Sequence, residues 1–97
     1  MKSYYSEYAQ HCIRFFFSTS LPASFGSLAD RQNWEACETI FGRLDPWERS
    51  HAQLIYHGRN IAETISEIAT SENVPADRLW KLVGGLEKSF AQERGLI

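Results

Sequence analysis

A chain of 97 residues, 43% apolar and 13% aromatic, can bury one hydrophobic core and is too apolar to be a disordered tail. Its 10 Lys+Arg against 12 Asp+Glu leave a formal charge of −2, which argues against binding by bulk phosphate attraction and leaves room for a local basic face. No run approaches the ~20 apolar residues that span a bilayer, and MKSYYSEYAQ lacks a signal peptide's apolar stretch, so a cytoplasmic protein with no membrane partner is expected.

In chain order, the first helix is predicted over Ser3 to Phe17, with Tyr5, Tyr8, Cys12 and Phe15/Phe16 on one face. Ser18 to Gly26 holds Pro22 and Gly26 and reads as a loop. The second helix, Leu28 to Arg43, carries Trp34, Cys37 and Phe41, then Leu44, at intervals of three and four. Cys12 and Cys37 form no CxxC pair and fall on apolar stripes, so both are expected as buried, reduced thiols. The third helix, Pro46 to His57, is predicted to bury Trp47 and Leu54/Ile55 and to carry Tyr56 at its edge. Gly58 can then supply a left-handed terminus. Ile61, Ile65 and Ile68 mark a fourth helix, and Leu79, Leu82, Val83, Leu86 and Phe90 mark a fifth.

The helix starts are written in the sequence. Asp45-Pro46-Trp47-Glu48 supplies a cap oxygen, a proline at the first helical position and a carboxylate that reaches back to the cap. Ser27-Leu28-Ala29-Asp30 and Asn60-Ile61-Ala62-Glu63 repeat the spacing of cap and acid. Between the last two helices, Asn73 tolerates the positive φ of a tight turn, and Pro75 opens the fifth helix with its φ already set. The expected fold is all-α: a compact bundle of about five helices with a C-terminal helix-turn-helix. Residues 1–97 form a single helical domain, with two N-terminal packing helices in 1–43 and the helix-turn-helix unit in 44–97.

From Leu44 to about Phe90 the chain resembles region 4 of bacterial sigma factors and sigma-like proteins. The resemblance lies in Leu44-Asp45-Pro46-Trp47-Glu48-Arg49 running into Leu54-Ile55-Tyr56, then Ile65-Ser66-Glu67-Ile68-Ala69, Val74, Leu79 and Leu86. The stretch from Trp80-Lys81-Leu82-Val83 through Arg94-Gly95-Leu96-Ile97 is also similar to small uncharacterised proteins on mobile elements of Gram-positive bacteria. The first resemblance implies a recognition helix, duplex DNA as partner, a role in transcription and a contact with RNA polymerase.

On that reading Arg78 and Lys81 lie near the bases, and Arg59 and Lys88 lie near phosphates. From Pro75 to Arg94 the cations Arg78, Lys81, Lys88 and Arg94 face Asp77, Glu87 and Glu93, a nearly neutral balance for a recognition helix. Weak binding by a monomer follows, which a homodimer or a polymerase partner would strengthen. Trp80 and Leu82 stand where polar groove contacts are expected. If buried, they favour a free DNA-reading face; if they form an open apolar patch, they favour a protein interface. The alternative function is a non-enzymatic interaction module, an inhibitor or adaptor that kept the frame and lost DNA affinity. A third is a small homo-oligomeric structural protein using the Phe15–Phe17 face.

No enzyme is expected. His11, His51 and His57 show no ligand spacing for a metal, no nucleophile motif or phosphate-binding glycine loop occurs, and neither catalytic residues nor a cofactor are assigned. His51 reads as a half-buried structural histidine, and Glu35 with Glu38 as a solvated face. Gly84-Gly85, inside the fifth stripe, is read as a close helix approach or a kink.

Overall fold

The computed structural model describes residues 5–19 and 21–97. Five helices form: α1 (Ser6–Ser18), α2 (Leu28–Gly42), α3 (Pro46–His57), α4 (Ile61–Glu72) and α5 (Ala76–Glu93), with no strand among the described residues. Ser3 and Tyr4, assigned by sequence to the first helix, lie outside the described residues.

The three predicted starts are made by the expected atoms. Ser27 Oγ accepts from the Asp30 N–H, and Asn60 Oδ1 accepts from the Glu63 N–H at 3.0 Å. At α3 the box is reciprocal: Asp45 accepts from the Glu48 N–H at 2.8 Å, and Glu48 Oε1 accepts from the Asp45 N–H at 3.1 Å. Each satisfies donors that a helix start would otherwise leave orphaned. α5 ends in a Schellman-type turn, in which Leu96 N–H donates to Ala91 C=O at 2.8 Å and Gly95 takes the left-handed φ of 71°.

α5 packs against each of the other four helices, and one contiguous core joins all five. Tyr56, Phe90, Ile13, Ile40, Ile55, Ile65, Leu79 and Cys37 are its largest fully buried side chains. Both cysteines are free and buried, and the Cys37 thiol faces the Cys12 carbonyl at 3.9 Å. Among the described residues, no helix is long and apolar enough to cross a membrane.

Several sequence-based placements are corrected. The buried face of α1 is Ala9, Cys12 and Ile13, while Tyr8 and Phe15 stay 42% and 49% exposed. Tyr8 lies at the boundary, its ring tilted against Phe90 and its hydroxyl accepting from Asn33 Nδ2 at 2.7 Å. α3 turns His51, Ala52, Ile55 and Tyr56 inward, so Tyr56 is core rather than edge and Leu54 faces solvent. Gly58 is extended, φ −68° and ψ 156°, not left-handed. A Cβ there would collide with the Thr64 hydroxyl, so the glycine serves close packing. Pro75 caps α5 from outside, its φ of −58° helical but its ψ of 131° extended. Gly84 and Gly85 mark neither a kink nor a close approach: α5 runs through them unbroken, and a Cβ on either would meet nothing within 4 Å.

Candidate nucleic-acid interface

α4 hands over to α5 in three residues. Asn73 takes φ 54° and ψ 45°, and both its N–H and that of Val74 donate to the Ala69 carbonyl, closing the C-terminus of α4. Val74 packs against the core and Pro75 redirects the chain. The connection is too short to drift, so it fixes where the first turns of α5 point.

α5 is two-sided. Leu79, Leu82, Val83, Leu86, Glu87, Phe90 and Ala91 face inward. Arg78, Lys81 and Lys88 are all exposed, and their spacing of three and seven puts them on one stripe of the helix. The N-terminal helices engage α5 through other residues. Ser6 Oγ donates to Glu87 at 2.5 Å, Arg43 pairs with Glu93 at 2.7 Å, and Arg94 donates to Asn33 at 2.6 Å. Arg59 is also exposed, but it lies before α4, whose 12 residues set it about 18 Å along the axis from the Asn73 turn. The structure thus brings Arg78, Lys81 and Lys88 together and leaves Arg59 apart.

The cations divide by use. Arg31 pairs with Glu35, Arg43 with Glu93, Arg49 donates to the carbonyls of Phe41 and Leu44, and Arg94 reaches Asn33 and Gln32. Among the described residues, Arg14, Arg59, Arg78, Lys81 and Lys88 make no ion pair, and Arg14, in α1, is half-buried. Arg78 instead lies over the Trp47 ring, 3.8 Å from its centroid. Trp47 stacks on His51 at 4.1 Å, whose Nδ1 meets the Trp47 carbonyl at 2.8 Å and whose Nε2 meets Glu72 at 2.7 Å. The carbonyl can only accept, so Nδ1 carries a proton. This ladder ties the start of α5 to α3 and to the end of α4. Beside it, a shallow groove is lined by Asp45, Glu48, Arg78, Lys81 and Leu82, so carboxylates stand next to the cations.

Trp80 and Leu82 separate. Trp80 is 45% exposed, whereas Leu82 is 9% exposed and belongs to the core, three residues after Leu79 and four before Leu86. Leu82 is therefore withdrawn as an interface residue, and the two do not form an open apolar patch.

Two positions differ from the sequence expectation. Trp47 was assigned to the core, yet it is half-buried and serves as a platform for Arg78. Glu87 was counted as a surface charge, yet it is 6% exposed, accepting from Ser6 and from the Tyr56 hydroxyl. Its position four residues after Val83 and four before Ala91 places it on the inward stripe, a signal available in the sequence. Among the described residues, no group of three or more His, Cys, Asp or Glu is placed to hold a metal ion. Compared with known proteins, the chain matches no family model, no curated protein and no solved structure.

Proposed function

We propose that this protein is a helix-turn-helix DNA-binding protein acting in transcriptional regulation, with α4 and α5 as the two helices and α5 entering the major groove. The observation that carries this reading is the exposed stripe of Arg78, Lys81 and Lys88, without carboxylate partners, directly after a three-residue turn. An α-helix with its side chains is about as wide as the major groove, and Arg or Lys near its start can pair with guanine O6 and N7. Arg78 and Lys81 take that place, Lys88 reaches a phosphate two turns later, and Arg59 contacts a phosphate from the other end of α4.

Asp45, Glu48 and Asp77 keep the local field modest, so affinity rests on few contacts. A second copy of the chain or RNA polymerase supplies the remainder on this reading. The test is a salt titration on random-sequence duplex DNA. The two phosphate contacts of Lys88 and Arg59 give a slope of log K against log salt of about −2, steeper by about 1 for each of Arg78 and Lys81 that settles on a phosphate of a random sequence. Arg78→Ala/Lys81→Ala is expected to abolish most of the binding. Absence of binding at ~50 mM salt, where screening is weak, overturns the proposal.

A second reading rests on Trp80, whose exposure suits an interface anchor of a non-enzymatic interaction module. It is favoured if Trp80→Ala abolishes capture of a partner protein by a chain that does not bind DNA.

A further inference from the structure

Away from α5, the loop Leu21–Ser27 meets α1 and α2 around an open cavity of about 240 Å³. Its apolar walls are the rings of Phe15 from α1, Phe25 from the loop and Trp34 from α2, and His11, Ser24 and Asn33 line the remainder. Phe15 and Phe25 each lie 6.2 Å from Trp34, tilted by 79° and 53°, so the three present differently oriented surfaces rather than a stack. Asp30 lies one helical turn before Trp34 and lines the same space. Its backbone N–H is spent on the Ser27 cap, but its carboxylate has no hydrogen-bond or ion-pair partner among the described residues. Gly26 leaves room for that carboxylate: a Cβ there would come within 3.1 Å of Asp30 Oδ2.

We propose that this cavity binds an organic ammonium ion, a methylated amine, with its methyl groups against Phe15, Phe25 and Trp34 and its charge balanced by Asp30. Ring faces are negative and attract cations whose hydration is weak, which is how aromatic cages recognise quaternary ammonium groups. His11 and Cys12 line the same space as Asp30, but among the described residues no group of three or more His, Cys, Asp or Glu is placed to hold a metal ion. A neutral apolar ligand leaves Asp30 unanswered beside it. The size agrees: a cavity of about 150 Å³ takes benzene, so this one takes a trimethylammonium head with its chain leaving through the open side.

The experiment titrates choline into the protein and follows the Trp34 indole resonance. The neutral carbon isostere, dimethylbutanol, is titrated in parallel. Choline is expected to give a saturable shift, with the isostere at least about tenfold weaker. Asp30→Asn, an exposed change outside the core, is expected to weaken choline about tenfold, and Phe25→Leu similarly, with unchanged helical circular dichroism in both. A peptide carrying trimethyl-lysine identifies the source, since tighter binding than choline assigns a chain-borne ligand and weaker binding a free one. No saturable shift, equal binding of the isostere, or an Asp30→Asn protein that binds choline as before overturns the proposal.

Discussion

The guanidinium of Arg78 rests over the indole of Trp47, 3.8 Å from the ring centroid, although the two residues start different helices. Trp47 is in turn held by the His51 ring, and His51 by Glu72. A long side chain held in one pose loses less entropy when it docks, so the platform prepares Arg78 for a contact rather than consuming it.

On the proposed function, Trp47→Leu is therefore expected to weaken DNA binding by about two- to fivefold, the worth of an exposed cation–π contact. The effect should vanish in an Arg78→Ala background. Additive losses in that double-mutant cycle would mean that Trp47 does not act through Arg78.

Asn73 carries the left-handed turn before α5. Asn73→Gly should leave stability within about 0.5 kcal/mol, and Asn73→Ala should cost about 1 kcal/mol, because only a Cβ without a helpful polar group is penalised there. Urea midpoints of the two variants decide the matter.

The glycines make opposite predictions. Gly84→Ala and Gly85→Ala add a methyl into open space within a helix, so each should raise stability by about 0.5–1 kcal/mol. Gly58→Ala sets a methyl against the Thr64 side chain and should lower it by about 1–3 kcal/mol. Thermal melts of the three single variants should fall on both sides of the parent.

Alkaline pH should destabilise the fold in two stages. Burial pushes the Cys37 thiol up from 9.0 to about 12. Above pH 9 the unfolded chain therefore loses this proton while the native chain keeps it, and stability falls. The slope is at most about 1.4 kcal/mol per pH unit for one group. Burial, with Glu87 next in effect, raises Tyr56 above its ordinary 10.0, adding a second loss beyond that pH. Burial also raises the Cys12 thiol above 9.0, so Cys37→Ala should reduce the slope from pH 9 upward without removing it, and Tyr56→Phe should act only above 10, as read by urea unfolding at each pH.

The sequence by itself determined the number of helices, the three capped starts and the conformation of Asn73. It also set Arg78, Lys81 and Lys88 on one stripe of α5. These depend on atoms within a few residues of each other: a cap oxygen reaches three positions on, and a helical face repeats at three, four and seven.

Only the tertiary structure decided how far each helix is rotated about its axis. That rotation turned Tyr56 inward and left Leu54 and Trp80 in solvent. It also brought Trp47 under Arg78, and Asp30 to a cavity walled by rings from α1, a loop and α2. An amphipathic stripe is broad, and the residues at its margins are apportioned by which neighbouring helix arrives and what it can bury or hydrogen-bond.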